Sequence, residues 1–366
     1  MGLSYLVYPG AHHTRFHHVL GCTFLMQKAV ETLRLKNIEI SNQEEEALMI
    51  AILLHDIGHG PFSHALENTF IKVGHERVSL QFMELLNDEF EGALDLAIKV
   101  FKGEYHRRFM NQLISGQLDM DRLDYLKRDS FYSGVAEGNI NVERLITMLN
   151  VKDDKLVVEF KGIYSVEKFI MARRFMYWQV YLHKTGIVAE RVLLKILSRA
   201  RELLNNGADL ACGTTLRLFL ENEIDEENFD LHKLEAFSQL DDYDMMSAIK
   251  EWCHDKDKVL SYLCNSIVNR RLPKIEMRDH DFDEKYIAQI KEGVKLKLNL
   301  NDNELEYLVY HGHVENKAYN SEAEHINIIY KNGDLKNIVE ASDTGSIKAL
   351  SMTVRKYFLC YPKKLL

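Results

Sequence analysis

The chain has 366 residues, of which 46% are hydrophobic and four are proline, so it is long enough for one large core or for a core with an appendage. Its formal net charge of −9 disfavours nucleic acid as a partner, because a nucleic-acid binder needs a basic face for the phosphates. No apolar run reaches the length of a membrane span, and the five cysteines follow neither a CxxC nor a disulfide-framework spacing, which favours a reduced, cytoplasmic setting without membrane contact.

Residues 1–206 are predicted to form a mainly helical core. Residues 4–10 have a β-like pattern, and the abrupt apolar start indicates that the chain begins partway through a longer segment. Ser41 and Glu44 form a capping box for a helix that is buried from Ala47 onwards and ends at His55-Asp56. The other elements predicted here are helices over about 15–35, 64–72, 75–90, 92–101, 105–115 and 119–130, a β hairpin near 151–162, and a long helix over 165–205.

The rest of the chain is predicted to contain two further parts. Residues 207–272 have a helical pattern and form an extension of the core. The composition shifts near Pro273, and residues 273–366 are interpreted as a small α+β region. Its predicted strands lie over 294–300, 306–310, 326–330 and 356–361, with Asn332-Gly333 as a hairpin turn.

The pair His55-Asp56 stands at the end of a helix that is apolar from Ala47 to Leu54. A single histidine on an apolar face is usually a satisfied core residue, but two adjacent ionisable groups at the end of a buried helix need partners. A metal ion is such a partner, and imidazole with carboxylate suits Mn, Fe, Co, Ni or Zn. The pair therefore predicts a metal site.

Further donors are available in the acidic segment 118–129. At helical spacing Asp121, Tyr125 and Arg128 share one face of this segment. A solvated amphipathic helix with alternating charge is the alternative interpretation. The pattern by itself leaves both interpretations open.

Three motifs follow one another in this part of the chain: V-Y-P-G-A-H-H-T-R-F-H-H at 7–18, H-D-I-G-H-G-P-F-S-H at 55–64, and D-M-D-R-L-D-Y at 119–125. They resemble the HD superfamily of metal-dependent phosphohydrolases, and within it the deoxynucleoside triphosphate triphosphohydrolase branch. The resemblance covers roughly residues 5–200 and implies a mainly α fold with an HD-domain helical core. It also implies one divalent metal ion per active site (Mn, Fe, Ni, Zn or Mg). The implied metal ligands are His18, His55, Asp56 and Asp121.

The same resemblance assigns roles to side chains around the metal. The histidines expected to line the reaction centre, where one acts as a general acid or base, are His59, His64 and His75. The side chains expected to bind the substrate are Arg15, Arg122, Tyr125, Asp129, Arg173 and Tyr181. The arginines are expected to contact the phosphates, the tyrosines the sugar or base, and Asp129 a sugar hydroxyl.

The resemblance implies a homo-oligomer, dimer or tetramer, that hydrolyses a nucleotide substrate, a dNTP, to a deoxynucleoside and inorganic triphosphate. One alternative is a phosphohydrolase of the same superfamily that acts on a nucleoside monophosphate or a phosphodiester. A second is a non-catalytic regulatory protein that binds a nucleotide. Tyr177 recurs with Arg173 and Tyr181 on one side of the predicted long helix, and we interpret it as aromatic packing.

Overall fold

The computed structural model describes residues 1–66, 70–320 and 325–363, except for the side chains of His64 and Ser346. Helices make up most of this part of the chain, which confirms the predicted mainly α fold. The α-helices are α1 (Arg15–Leu35), α2 (Asn42–Leu54), α3 (His75–Glu89), α4 (Asp95–Phe101), α5 (Arg108–Ser115), α6 (Met120–Ser133), α7 (Val142–Thr147), α8 (Ile163–Met176), α9 (Lys184–Asn205), α10 (Thr214–Glu221), α11 (Leu231–Ser238), α12 (Asp242–Trp252), α13 (Lys258–Val268), α14 (Glu284–Leu298), α15 (Asp302–Leu308), α16 (Ile338–Ala341) and α17 (Ser346–Leu350).

The described strands form two small sheets. The strands are β1 (Leu149–Lys152), β2 (Lys155–Glu159), β3 (Lys274–Arg278), β4 (Tyr310–Asn316), β5 (Asn327–Ile329), β6 (Leu335–Asn337) and β7 (Val354–Tyr361). One sheet has the order β1-β2-β5-β6, in which β2 and β5 run parallel and the other pairs are antiparallel. The other sheet has the order β3-β7-β4 and is antiparallel throughout. The predicted hairpins near 151–162 and at Asn332-Gly333 are confirmed by the β1–β2 and β5–β6 pairs.

The core that supports the predicted site lies between α1, α2 and α6. It contains fully buried side chains from all three helices: Cys22 and Met26 of α1, Leu48 and Ile52 of α2, and Leu123 of α6. Ser41 caps α2 by accepting from the backbone N–H of Glu44, as the capping box predicts. The three helices are thereby fixed where they carry the predicted metal ligands.

A second core packs α9 against the helices and strands that follow it. Leu193 of α9, Trp252 of α12, Leu263 of α13 and Phe358 of β7 are all buried in it. The division of the chain at residues 206 and 272 stays a prediction. Among the described helices, none is both long and apolar enough to cross a membrane.

The segment predicted as a β-like start is a 3-10 helix, Gly2–Leu6, so that prediction is wrong. Its backbone forms local hydrogen bonds, with the N–H of Val7 donating to the carbonyl of Ser4 at 2.9 Å. Leu3 and Leu6 are both buried. The spacing of three residues places them on one side of a 3-10 helix, a pattern that a short apolar run does not distinguish from a strand.

The prediction of one long helix over 165–205 is wrong. The structure has two helices here, α8 and α9, separated by a break. After α8, a π-helical segment covers Tyr177–Tyr181, and the N–H of Leu182 donates to the carbonyl of Tyr177 at 2.7 Å. His183 then leaves helical geometry with a ψ of 132° and caps α9. Its side chain accepts from the backbone N–H of Thr185 at 3.2 Å.

Three other predictions of secondary structure are corrected. Residues 294–300 fall mainly in α14, where Val294 is fully buried but Leu296 is 73% exposed, so the apparent alternation does not follow a sheet face. Residues 306–308 belong to α15, and the strand β4 begins only at Tyr310. The helix predicted over 64–72 is limited to a 3-10 turn, Ser63–Ala65, and residues 67–69 lie outside the described part.

Candidate metal centre and active site

Two histidines and one aspartate from three helices meet at the centre of the predicted site. His18 lies in the first turn of α1, His55 caps the C-terminus of α2, and Asp121 lies in the first turn of α6. Nε2 of His18 is 3.1 Å and Nε2 of His55 is 3.7 Å from Oδ1 of Asp121. Donor atoms that bind one ion at about 2.1 Å lie about 3–4 Å from one another, so these distances are compatible with a shared ion.

The other ring nitrogen of each histidine is held by a second group. Nδ1 of His18 donates to Oδ2 of Asp124 at 2.7 Å, and Nδ1 of His55 donates to the carbonyl of Ile52 at 2.6 Å. These bonds leave Nε2 of each imidazole as the atom that faces the centre. Nε2 of His55 is buried and has no hydrogen-bond partner in the described part of the chain, as expected of an atom that needs an ion.

Asp56 completes the predicted set of donors. Its carboxylate lies 3.5 Å from Nε2 of His55 and 3.7 Å from Nε2 of His18, and it forms an ion pair with Arg15. Burial opposes ionisation, but the neighbouring charges of His55 and Arg15 lower the pKa of Asp56 to about 2. The carboxylate therefore remains charged and available to a cation.

The negative charge of the centre also affects His18. Burial lowers the pKa of this imidazole, but hydrogen bonds to Asp121 and Asp124 outweigh that effect and raise the pKa above its ordinary value. The surrounding carboxylates thus favour positive charge at this position, which a divalent ion supplies. The donors present fit such an ion, although the roles of the individual ligands stay predictions.

Cys22 also lies close to the centre, although no metal-binding role was predicted for it. Its Sγ lies 3.6 Å from Nε2 of His18, and donor atoms of His18, Cys22, His55 and Asp121 all lie within 4.8 Å of one another. Burial raises the pKa of the thiol to about 12, so the group is neutral. The four-residue spacing between His18 and Cys22 on one helix was the available signal.

A cavity of about 560 Å³ opens beside this centre. The predicted site residues that line it are Arg15, His18, Asp56, His59, His75, Asp121, Arg122, Tyr125, Asp129, Arg173 and Tyr181. His55 lies behind them, and the side chain of His64 falls outside the described residues. The structure therefore brings residues from all three motifs, and from α8 and the π segment, to one cavity.

Two of the predicted catalytic histidines stack on each other. The rings of His59 and His75 lie 4.0 Å apart with an interplanar angle of 28°. Nδ1 of His59 is 3.4 Å from Oδ1 of Asp56, which places the stacked pair next to the predicted metal ligands. Both imidazoles line the cavity, and an imidazole can act as a general acid or base.

The predicted phosphate-binding arginines have different surroundings. Arg15 pairs with Asp56, and Arg122 pairs with Asp119, a fully buried residue that also caps α6. Burial raises the pKa of Asp119 to about 6, although the charge of Arg122 opposes this. Arg173, in contrast, forms no salt bridge in the described part of the chain, although its charge also opposes the raised pKa of Asp119, and its buried Nε has no hydrogen-bond partner there. Its guanidinium lies 5.8 Å from the ring centre of Tyr177.

The far side of the site contains tyrosines and the carboxylate of Asp129, which is held by two hydrogen bonds. The ring of Tyr181 lies 6.1 Å from that of Tyr125 and 5.1 Å from that of Tyr177, and its hydroxyl donates to Oδ2 of Asp129 at 2.8 Å. His13 binds the other oxygen of Asp129 at 2.7 Å. No role was predicted for His13, because its contact is with a residue 116 positions away in the sequence.

Two regions of the chain match known families. Residues 15–129 match the HD domain, and residues 140–217 match the HD associated region. The fold is similar to the crystal structure of a phosphohydrolase from Bacteroides thetaiotaomicron, with a TM-score of 0.94 and 50% identity over 98% of this chain and 90% of that one.

Two curated relatives are similar over shorter stretches. The uncharacterized protein YwfO of Bacillus subtilis is 33% identical over 280 residues, which are 74% of this chain and 63% of that protein. The deoxynucleoside triphosphate triphosphohydrolase SAMHD1 homolog of Dictyostelium discoideum is 28% identical over 224 residues, 56% of this chain and 43% of that protein. The chain therefore spans less than two thirds of the length of these two relatives.

Proposed function

Because this chain belongs to the HD-domain family, we propose that it is a metal-dependent phosphohydrolase that converts a dNTP into a deoxynucleoside and inorganic triphosphate. The observation that carries the proposal is the composition of one cavity. Its lining combines imidazoles and carboxylates, which suit a divalent cation, with arginines and tyrosines, which suit a polyphosphate and a nucleoside. The name of the Dictyostelium relative supports the choice of a dNTP.

His18, His55, Asp56 and Asp121 would hold the metal ion. A divalent ion at this position supplies Lewis acidity that lowers the pKa of a water molecule and polarises a phosphoryl oxygen. Two nitrogen donors with two carboxylates are compatible with Mn, Fe, Ni, Zn or Mg, so the donors do not favour one of these metals. Asp124 and the carbonyl of Ile52 keep the two imidazoles in the required tautomer.

The proposed reaction is a hydrolysis at the α-phosphorus. The oxygen of water forms a bond to the α-phosphorus and releases one proton to the solvent, and the bond from this phosphorus to the 5′ oxygen of the sugar breaks. The departing 5′ oxygen takes up a proton, for which His75 or His59 is the proposed donor because both line the cavity beside Asp56. The products are a deoxynucleoside and a triphosphate.

The remaining side chains would bind and orient the nucleotide. Arg173 is the proposed main contact of the polyphosphate, since it forms no salt bridge with a described carboxylate and its buried Nε has no hydrogen-bond partner among the described residues. Arg15 and Arg122 would exchange part of their ion pairs with Asp56 and Asp119 for phosphate oxygens. Tyr125 and Tyr181 offer aromatic surface to the sugar and base.

The test is an assay of the purified protein with each of the four dNTPs, singly and mixed, in the presence of Mn²⁺ or Mg²⁺. Ion-exchange chromatography resolves the products. We expect deoxynucleoside and triphosphate from the wild-type protein and neither from Asp121→Ala, whereas Asp88→Ala, a change at an exposed position of α3, retains activity. Release of orthophosphate alone, or no product from any dNTP, contradicts the proposal. The mixed assay also reports whether one nucleotide activates turnover of another.

One observation favours a second candidate function. Arg15 and Arg122 are both engaged by carboxylates, which leaves Arg173 as the one proposed phosphate contact without such a partner in the described residues. A substrate with a single phosphate, such as a nucleoside monophosphate or a phosphodiester, needs fewer cationic contacts. Activity on such substrates, with none on dNTPs, would support this alternative.

We also propose that the protein is a homo-oligomer, a dimer or a tetramer. Light scattering of the same preparation measures its molar mass and so tests this proposal.

A further inference from the structure

His13 directly precedes Thr14, the residue that caps α1, and its side chain is buried at the wall of the cavity. Its side chain is 5% exposed, its ring stacks on Tyr132 with 4.5 Å between ring centres, and its Nε2 lies 2.7 Å from Oδ1 of Asp129. His13 lines the cavity, and its buried Nδ1 has no hydrogen-bond partner among the described residues. A buried polar atom without a partner calls for a functional explanation.

The carboxylate that His13 contacts is held from two directions. Nε2 of His13 donates to Oδ1 of Asp129, and the hydroxyl of Tyr181 donates to Oδ2 at 2.8 Å. These donors come from distant segments, before α1 and in the π segment. Each carboxylate oxygen can accept more than one hydrogen bond, so Asp129 retains acceptor capacity while its rotation is restricted.

We propose that His13 is a positioning residue that fixes Asp129 so that it accepts a hydrogen bond from the 3′-hydroxyl of the nucleotide sugar. The inference rests on the proposed function, in which Asp129 binds a sugar hydroxyl. In a 2′-deoxynucleoside triphosphate the 3′-hydroxyl is the one free hydroxyl of the sugar. With Nε2–H committed to Asp129, Nδ1 carries a lone pair and remains available as an acceptor. His13 and Asp129 together therefore favour a sugar that carries the 3′-hydroxyl.

The experiment compares two substrates that differ only in this group, a dNTP and the matching 2′,3′-dideoxynucleoside triphosphate. We expect the wild-type protein to prefer the dNTP by about tenfold or more in kcat/KM, since a hydrogen bond to a charged group is lost with the dideoxy substrate. His13→Ala should bring this ratio close to one, mainly through loss of activity on the dNTP. His13→Gln should restore part of the preference, because its amide can donate to Asp129 from a similar position.

His12→Ala is the matched control. His12 precedes His13 directly, but it is exposed, stacks on Tyr5 with 5.5 Å between ring centres and does not line the cavity. The ratio of the two substrates should be unchanged in this variant. Bound metal, measured by mass spectrometry, should be the same in all four proteins because His13 contacts none of the proposed ligands directly.

The outcomes separate this inference from the proposed function. An equal loss of both activities in His13→Ala, with the ratio unchanged, would show a purely structural role and overturn the inference. A wild-type protein that hydrolyses dNTPs without preferring them over the dideoxy analogues would overturn it as well. If the wild-type protein hydrolyses neither substrate, the proposed function fails. The affinities for the dNTP and the dideoxy analogue, measured by calorimetry, then test the inference: the wild-type protein should bind the dNTP more tightly, and His13→Ala should bind both equally.

Discussion

The carboxylate of Asp124 accepts a hydrogen bond from Nδ1 of His18 at 2.7 Å and is itself bound by both Nε and Nη2 of Arg128, also at 2.7 Å. Asp124 thus connects a proposed metal ligand to a cation on the next turn of α6. The arrangement fixes the ring orientation of His18 and keeps the proton on the nitrogen that faces away from the centre. Its contribution to metal binding can be measured without reference to any substrate.

We expect Asp124→Asn to lower the affinity for the metal about 10- to 100-fold, the usual effect of losing such an outer partner. An asparagine can turn its N–H groups towards Nδ1, which disfavours the tautomer that presents a lone pair at Nε2. Competition with a chromophoric chelator measures the affinity directly. Asp88→Asn, which makes the same chemical change on the exposed face of α3, should bind metal like the wild-type protein. Equal affinities of all three proteins would contradict the proposed role of Asp124.

The proposed role of Arg173 can be tested by comparing a triphosphate with a monophosphate substrate. We expect Arg173→Ala to raise the KM for a dNTP at least about tenfold, because a charged contact to the polyphosphate is lost, while the KM for the matching monophosphate changes much less. Steady-state kinetics on both substrates give the comparison. Arg174→Ala is the control, since Arg174 lies 5.9 Å from the ring centre of Trp178 and does not line the cavity. Equal effects of Arg173→Ala on the two substrates would favour the monophosphate alternative.

The parts of the fold that could be predicted from the sequence are those set by local patterns. The helix over 15–35 follows from its apolar spacing. The start of α2 follows from the Ser41 capping box and its end at His55 from the apolar run that stops there, and both helices are confirmed. The break at His183 was missed because no glycine or proline marks it in the sequence, so the helical pattern continues through the π segment. The strand predicted over 294–300 is wrong for a different reason. Lys and Leu alternate there as they do in a strand, but the residues belong to a helix.

The site could be predicted in part for the same reason. His55 and Asp56 are adjacent in the sequence, and the buried helix before them indicates that both need partners. The contacts of His13 with Asp129 and of Asp124 with His18 depend on how α1 crosses α6, over separations of more than 100 residues. No local pattern carries such information, so these supporting residues became apparent only in the folded chain.

Glu190 on α9 should make stability depend on pH. Burial raises the pKa of this carboxyl from 4.5 to about 7, although Arg191 opposes the shift. Between these values the folded protein binds more protons than the unfolded chain, so this group's contribution is fully present below pH 4.5 and is lost as the pH rises to about 7. At about 1.4 kcal/mol per pKa unit, a shift of this size corresponds to a loss of stability of about 3 kcal/mol.

We therefore expect Glu190→Gln to be more stable than the wild-type protein at pH 8, with a difference that disappears towards pH 4.5. Urea unfolding at several pH values measures the free energy of unfolding of both proteins. Glu235→Gln removes an exposed carboxyl of α11 and should show no such trend. A stability difference that is the same at every pH would contradict the raised pKa of Glu190.

The loop that follows His55-Asp56 contains two consecutive residues in the left-handed region, Phe62 with a φ of 53° and Ser63 with a φ of 56°. Neither is glycine, so each conformation costs about 1–2 kcal/mol and needs support from elsewhere. Asp242, at the start of α12, accepts a hydrogen bond from the N–H of Phe62 at 2.7 Å. Ser63 in turn accepts from Nε of Arg15 at 3.0 Å, which links the loop to the proposed active site.

We expect Asp242→Ala to lower the free energy of unfolding by about 1–2 kcal/mol and to speed amide hydrogen exchange over residues 58–63, because the strained loop loses its external acceptor. Asp242→Asn keeps an oxygen that can accept from Phe62 and should show less than half of this loss. Glu251→Ala, at an exposed position of the same helix, is the control for removing a carboxylate from α12. If exchange over 58–63 is the same in Asp242→Ala as in the wild-type protein, the loop holds its conformation without α12. The strain at Phe62 and Ser63 must then be balanced within the loop itself and by the contact between Ser63 and Arg15.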